Sequence, residues 1–439
     1  MKCLIIAAGR GERLKQKGAP KPLIPVLGVP MIARVIHTAA RVGVDDFFVV
    51  TGYEGKRLQT YLKSLARERG LKITCLENPD WTRENGLSVL KAREFLREPF
   101  LLLMGDHLIE EKTLKRLMET GPFEDGIRLV VDRRCEDALV DMADATKVRL
   151  EGPRVVQIGK DLKDYDALDT GIFLCTPAIF DAIEKSIQKF NDSSLSGGVR
   201  VLADRGRVAT LEMEGDFWID IDDIFALQRA ETALLKRGGK TTDGPVARFL
   251  NRPLSLWITR RIISYPFLSP NVLTLASFLI SLIAALFFIV CRPWALVTGG
   301  ILAQCASIVD GCDGEIARLT YRESDFGKWL DAVLDRYADG FLVAGVTVYC
   351  LCAGGGWGLL AAGFLALVGS FAVSYTADKY DGLMRQKIAR SNFRVGRDVR
   401  VFILFLSSIF LVPSWGLWLL AIIMNLEVIR RIFVVYRNR

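Results

Sequence analysis

Apolar and polar positions follow two regimes along the chain. In the first part short apolar runs alternate with amphipathic stretches of helical period. Cys3–Ala8 is such a run and stops at Gly9. After a loop, Pro30 opens Met31, Val35, Ile36, Ala39 and Ala40, one face of a helix. The alternation recurs at Phe47–Thr51 then Glu54–Leu65, at Ile73–Leu76, at Phe100–Met104 then Glu110–Met118, and at Leu129–Asp132. Strands interleaved with helices predict a mostly parallel α/β sheet. Val148–Ile158, broken by Gly152-Pro153, reads as an inserted hairpin, and Thr176-Pro177 opens a further helix. From Val272 long apolar runs take over and predict an all-α domain of six spans, about 272–290, 294–309, 336–353, 356–377, 400–412 and 414–433. Between the regimes, Lys240–Asp243 followed by Gly-Pro marks a linker. Val246–Ile263 then sets apolar residues among Arg248, Arg252, Arg260 and Arg261, an amphipathic helix for a membrane surface. The expected domains are 1–239, cytoplasmic and soluble; 240–265, linker and interfacial helix; and 266–439, in the lipid bilayer.

Composition sharpens this picture. The 439 residues are 51% apolar and 25% charged, with 58 Lys plus Arg against 50 Asp plus Glu and net charge +8. A mean hydropathy of +0.26 beside so much charge fits grease and charge held in separate parts, and excludes disordered or collagen-like chains. Two histidines, His37 and His107, are too few for a His-rich zinc site or for a Ser-His-Asp triad with any to spare. Any metal is then a hard cation on carboxylates. Nine scattered cysteines without a C-x-x-C pair argue against a disulfide framework and for a reducing compartment. Met1–Ala8 has no charged n-region, so no signal peptide is expected, and no nucleic acid is expected as a partner. Basic residues crowd one set of loops: Arg318, Arg322, Lys328 and Arg336; Lys379 to Arg400; and Arg430 to Arg439. The opposite loops hold Arg292 alone. The positive-inside rule puts both termini in the cytoplasm, which six spans of a multi-pass cell-membrane protein satisfy.

In an α/β sheet the ligand lies beyond the carboxyl ends of the strands. There stand Ala8-Gly9-Arg10-Gly11-Glu12-Arg13-Leu14 and, later, Pro20-Lys21-Pro22-Leu23. Glycines admit a triphosphate to the backbone N–H groups, and Arg13 and Lys21 can neutralise it. A dinucleotide fingerprint needs glycine where Leu14 stands, and a P-loop needs Gly-Lys-Ser/Thr, so both are rejected. Asp106 follows a strand in Gly105-Asp106-His107, and Trp218-Ile219-Asp220-Ile221-Asp222 alternates acids on a strand. One acid from each could share Mg²⁺, with Mn²⁺ an alternative. The competing role for Asp106 and Asp222 is helix N-cap, which Asp222 favours. The ordered set AAGRGERL, KPL, MGDH and WIDID resembles the nucleotidyltransferases, Rossmann-like enzymes of the GT-A-like kind, over roughly the first 235 residues. The resemblance implies attack of a substrate phosphate on a nucleoside triphosphate's α-phosphate, releasing pyrophosphate. It places Ala8, Gly9 and Gly11 in the nucleotide loop, Arg13 and Lys21 on the phosphates, and Asp106 and Asp220 on the metal. It puts Asn85, Gly86 and Ser88 at the nucleotide or acceptor site, although Asn85-Gly86 equally suits a turn before a helix Leu87–Leu96. Asp169-Thr170-Gly171 stands where that family meets its acceptor.

The sharpest motif lies at the membrane edge: Asp310, Asp313, Gly314, Ala317 and Arg318, then Gly327, Asp331 and Asp335. On helices Asp310 and Asp313 are i,i+3 and Asp331 and Asp335 are i,i+4, so each pair shares a face. Four carboxylates there are costly unless a cation compensates them, and metal binding explains their spacing better than pairing with Arg318 and Arg336 does. At all eight fixed positions over 26 residues the motif resembles the signature of the CDP-alcohol phosphotransferases, and Ser269-Pro-Asn271-Val-Leu-Thr274 resembles that family's entry into its first span. The resemblance implies a six-helix membrane enzyme, commonly dimeric, that displaces CMP from a CDP-alcohol with a second alcohol. In this chain Asp310, Asp313 and Asp331 then bind metal, Asp335 binds metal or acts as base, and Gly314, Ala317 and Arg318 hold the CDP. Arg390, Arg394, Arg397 and Arg400 read mainly as a positive-inside cluster, with Arg397 or Arg400 the candidates for an acceptor phosphate.

Together the halves resemble the bifunctional enzymes in which a cytidylyltransferase precedes a CMP-releasing transferase. That implies CTP and inositol 1-phosphate as substrates, CDP-inositol as intermediate, a second inositol 1-phosphate as acceptor, and a phosphorylated osmolyte precursor as product. The alternative is a phosphatidyltransferase with a lipid donor or acceptor, its first domain activating a head group or acting as a degenerate nucleotide sensor. A transporter bundle fits least, because the acids sit at one edge and not along a midplane path.

Overall fold

The computed structural model describes residues 1–134, 142, 145–239, 244–265, 267–384 and 396–437. It divides into two compact units, Met1–Ala233 and Leu234–Arg439. Cys135, the linker residues Lys240–Asp243, and Arg385, Lys387, Arg390, Arg394 and Arg439 lie outside the described residues.

The first unit is built on a nine-stranded sheet in the order Lys72–Glu77, Asp46–Thr51, Lys2–Ala7, Phe100–Met104, Ala167–Cys175, Ile127–Asp132, Val208–Glu212, Arg154–Gly159, Lys147–Glu151. The first four run parallel, with helices Met31–Arg41 and Gly55–Arg69 as crossovers. Ala167–Cys175 is antiparallel to both its neighbours, so the sheet is mixed and not mostly parallel. The cause is local: this strand follows the hairpin Lys147–Gly159 and pairs back onto its first arm, with no crossover helix to return the chain. A second correction concerns Leu87–Leu96, whose helix is only Gly86–Leu90 before the chain breaks into turns. Leu4, Phe100, Leu102, Leu129, Phe173 and Phe180 fill one core between sheet and helices.

His37, buried on the helix Met31–Arg41, is held down to about 4 by burial first and then by Arg69, Arg41 and Arg34. The folded state therefore keeps this imidazole neutral, whereas the unfolded chain takes up a proton near pH 6.5. The stability this confers is complete above pH 6.5 and is lost as pH falls toward 4, on the order of 2–3 kcal/mol. The expected result is that His37→Gln loses less melting temperature than the parent between pH 7.5 and 4.5. Parallel pH curves would refute it.

In the second unit, Arg252–Ile262 follows a short π-helical segment, Ala247–Asn251. Six further helices carry its core: Pro270–Ile289, Pro293–Leu319, Asp325–Cys352, Trp357–Tyr375, Arg397–Ile409 and Pro413–Arg437, with the short Ala377–Met384 between the fourth and fifth. Three of them, Pro270–Ile289, Pro293–Leu319 and Trp357–Tyr375, are long and apolar enough to cross a membrane. Asp325–Cys352 is loaded with acids in its first half, and Arg397–Ile409 has 13 residues, short of the roughly 20 a bilayer needs. Phe288, Val346, Leu404, Leu417 and Leu420 meet in its interior. Glycines allow the close approach that membrane packing requires, with Gly299 against Phe288 and Gly345 against the Ala285 backbone. The expectation of unpaired cysteines is corrected at one place, because Cys291 and Cys352 are disulfide-bonded.

Phe249, Leu254 and Trp257 of the amphipathic segment are exposed, and Arg261 stacks on Trp257 at 3.6 Å. Its other face docks on Glu315, which is fully buried and accepts from Arg252 (2.6 Å), Ser255 (2.5 Å) and Thr259 (2.6 Å). Glu315→Gln removes the buried charge that Arg252 meets at 2.6 Å and costs about 3 kcal/mol. Faster amide exchange across 252–262 is expected; unchanged exchange there would show that this docking does not depend on the charge.

Candidate active sites

In the first unit, Lys2–Ala7 lies beside Phe100–Met104 in parallel register, so the loops after both strands open on the same edge. Gly11 adopts φ +64°, and a Cβ there would strike Lys21 at 2.5 Å, so the loop folds only around that lysine. Lys21 is buried, 2.6 Å from Asp106, bonded to Asp222 and 4.0 Å from Asp220. Trp218–Asp220 pairs antiparallel with His107–Ile109, and this register sets Asp220 opposite His107. His107 Nδ1 lies 2.9 Å from Asp106 and 3.5 Å from Asp220. The paired segment is three residues long and Asp222 lies beyond it. Asp222 is not the helix cap: Asp223 accepts from Ala226 N (2.6 Å), which frees Asp222 for Lys21.

The electrostatics of this cluster are coupled. Burial raises Asp106, but Lys21 and His107 outweigh it and hold the carboxyl well below its usual range. Burial likewise opposes the charge on Lys21, yet Asp106, Asp220 and Asp222 hold it above its usual value. His107 goes up to about 9, Asp220 and Asp106 overcoming desolvation. Asp220, pushed up by burial and by the neighbouring Asp106 and Asp222, sits at about 6. Ligand atoms of Asp106, His107 and Asp220 all lie within 4.8 Å of one another. Two carboxylates at that spacing suit a hard divalent cation, while His107 serves as a hydrogen-bond donor to Asp106.

Beside them is a cavity of about 210 Å³ lined by Asn85, Lys160, Asp169, Trp218, Asp220 and Arg229, among others. Gly171, at φ +72°, gives His107 its place, since a Cβ would lie 2.7 Å from the imidazole. Asp169, raised to about 6 by burial, accepts from Gly171 N at 2.8 Å. Arg13 is half-exposed, 3.8 Å from Asp222. Asn85 reaches the cavity wall and also accepts from Leu195 N (2.9 Å). Ser88 is buried on Asn78 (3.0 Å), and Gly86 is closed off by the Ser193–Ser194 backbone, so these two support the wall from behind.

In the second unit, Asp310, Asp313 and Asp331 converge, with one oxygen of each inside a 4.8 Å group. The helix Pro270–Ile289 fixes them: Thr274 donates to Asp313 (2.5 Å) and Ser277 to Asp310 (3.2 Å). Three carboxylates with an all-oxygen donor set suit Mg²⁺ or Mn²⁺. A cavity of about 300 Å³ on one side is lined by Asn271, Thr274, Gly314, Ala317, Arg318 and Asp331. A second of about 140 Å³ includes Asn251, Arg252, Ser255, Asp310, Arg397 and Asp398. Asp335 stands outside the trio. It lies 2.6 Å from Arg397, whose guanidinium also meets Asp310 (2.9 Å) and Asp339 (3.3 Å), while Arg336 reaches Asp335 at 3.4 Å. Arg400 is buried on Asp339 (2.9 Å) and the Ser370 carbonyl (3.0 Å). Arg318 donates to Gly238 O at 2.7 Å. Sequence reasoning missed Asp339, Ser277 and the Arg397 bridge. The i,i+4 step from Asp335 to Asp339 was available as a signal; the bridge was not.

Residues 3–145 match the family described as MobA-like NTP transferase domain, and residues 267–432 match CDP-alcohol phosphatidyltransferase. A Rubrobacter xylanophilus protein named Bifunctional IPC transferase and DIPP synthase is 36% identical over 447 residues, covering 99% of this chain and 96% of its own. The chain belongs to this bifunctional family. An Aquifex aeolicus bifunctional IPC transferase and DIPP synthase is 32% identical, covering 99% of this chain and 98% of its own. A stretch of 170 residues, 38% of this chain, is 31% identical to an archaetidylinositol phosphate synthase of Pyrococcus horikoshii and covers 82% of that protein. As a member of the bifunctional IPC transferase and DIPP synthase family, the chain joins a cytidylyltransferase to a CDP-alcohol phosphotransferase in a membrane protein.

Proposed function

We propose that the first unit makes CDP-inositol from CTP and inositol 1-phosphate, and that the second transfers its phosphoinositol group to another inositol 1-phosphate with release of CMP. Two acid clusters, Asp106 with Asp220 and Asp310 with Asp313 and Asp331, stand in separate units, as two successive metal-assisted transfers on one chain require. Mg²⁺ at each would neutralise phosphate charge as the bonds change. In the first unit Lys21 and Arg13 draw the triphosphate onto the Ala8–Gly11 loop. The acceptor's phosphate reaches the α-phosphate from the cavity beside Asp220, and pyrophosphate leaves. In the second, Gly314 and Ala317 leave space for CDP and Arg318 meets its phosphates. Asp335 accepts the acceptor hydroxyl's proton as oxygen attacks the β-phosphate, and CMP departs. Arg397 or Arg400 holds the acceptor's phosphate. Arg397 lines the smaller cavity and Arg400 does not, so Arg397 is the better placed of the two.

The domains proposed are 1–239, 240–265 and 266–439, with six spans, both termini cytoplasmic, and a homodimer. The likeness to an archaetidylinositol phosphate synthase favours a second reading, in which a lipid alcohol serves as donor or acceptor. Purified protein given Mg²⁺, CTP and inositol 1-phosphate decides between them. Equimolar pyrophosphate and CMP with a water-soluble diinositol product supports the first reading. Pyrophosphate without CMP until a lipid alcohol is added supports the second.

A further inference from the structure

Cys291 and Cys352 are disulfide-bonded with their Cα atoms 6.2 Å apart, while Cys305, Cys312 and Cys350 of the same unit are free. Cys291 stands two residues before the helix Pro293–Leu319, and Cys352 is the last residue of Asp325–Cys352. These helices carry the two halves of the acid motif near their other ends. At 1.5 Å per residue, Asp331 lies about 32 Å along the helix from Cys352, about one hydrocarbon thickness away. The two helices meet each other at few points, and both pack along Pro270–Ile289. At the acid-bearing ends the chain itself joins the two helices through residues 320–324, and along their length a third helix spaces them, so the far ends depend on that helix and on whatever joins them there. Cys350 turns inward, buried beside the Ser414 hydroxyl, whereas Cys352 is exposed.

We propose that Cys291 and Cys352 form a disulfide on the outer face of the membrane that staples the two acid-bearing helices together. This rests on the orientation proposed above. The oxidant is a protein disulfide outside the cytoplasm. One thiolate of the pair attacks it to give a mixed disulfide, and the other displaces it. One S–S bond forms in the chain, the oxidant's S–S bond becomes two thiols, and electrons and protons balance. A cytoplasmic thiol pool would keep the pair reduced, so the bond also marks the side on which these helix ends lie.

The test uses the full chain in intact cells, quenched with N-ethylmaleimide and mapped without reductant. A cross-linked peptide joining Cys291 to Cys352, absent after reduction, is expected. In parallel, an impermeant maleimide should label both residues from outside only after an impermeant reductant has acted. Both thiols labelled from outside without reductant overturn the staple and leave the orientation standing. Labelling confined to inverted vesicles overturns the outer-face assignment and the orientation together. The double variant Cys291→Ser with Cys352→Ser should shorten the half-life of CMP release on heating by at least about tenfold, with pyrophosphate release decaying as in the parent. An unchanged CMP-release half-life overturns the staple.

Discussion

Asp106→Asn is expected to cut pyrophosphate release from CTP and inositol 1-phosphate by about a thousandfold or more, while CMP release from supplied CDP-inositol survives. The amide keeps the shape of the side chain and removes its charge. Asp106 bonds Lys21 at 2.6 Å and His107 at 2.9 Å, and together with Asp220 it offers the hard-cation site of the first unit. Without it, Lys21 is left to Asp222 and Asp220, and the centre loses one of the two carboxylates that would share a metal. The second reaction is spared because its acids, Asp310, Asp313 and Asp331, belong to the other compact unit. A melting curve close to the parent's would separate lost chemistry from lost folding. Loss of both activities in a folded protein would falsify the partition of labour between the units.

Legibility followed the range of the interactions. Strand–helix alternation, the hairpin and the break into long apolar runs rest on local periodicity, and the strands Lys2–Ala7, Asp46–Thr51 and Phe100–Met104 fall where the pattern puts them. The antiparallel Ala167–Cys175 did not show, because strand direction depends on which partner the hairpin finds and not on its own alternation. Asp310, Asp313 and Asp331 were readable because helical spacing gathers them onto faces. That Arg397 would lie between Asp310, Asp335 and Asp339 was not, since it arrives from a helix about 60 residues further along. The choice between Asp222 and Asp223 as helix cap turned on a one-residue shift of the helix start, which sequence signals do not fix. The Cys291–Cys352 pair escaped for the same reason as Arg397: only the antiparallel packing of the helices brings the two together.

Asp335→Asn is expected to lower CMP release by about a hundredfold to ten-thousandfold and to let CDP-inositol accumulate, with donor affinity nearly unchanged. The acceptor hydroxyl is a poor nucleophile at neutral pH and needs a carboxylate within hydrogen-bond reach. Asp310, Asp313 and Asp331 form the group that would hold a cation, and Asp335, one turn beyond Asp331 on the same helix, lies outside it. A carboxylate committed to metal is a poor proton acceptor, so the acid left out of the trio is the one for that task. The rival role is structural, because Asp335 also meets Arg397 at 2.6 Å, and breaking a half-buried pair costs stability. Asp339→Asn separates the two, since Asp339 holds the same arginine at 3.3 Å and Arg400 at 2.9 Å. If Asp335 serves only to hold Arg397, the two variants should lose melting temperature and turnover in proportion. If it is the base, Asp335→Asn loses turnover far out of proportion to its stability, and the acid limb of the pH–rate profile disappears with it. Equal, mild impairment in both variants, or a matching loss of CDP-inositol binding in Asp335→Asn, would remove Asp335 from the chemistry.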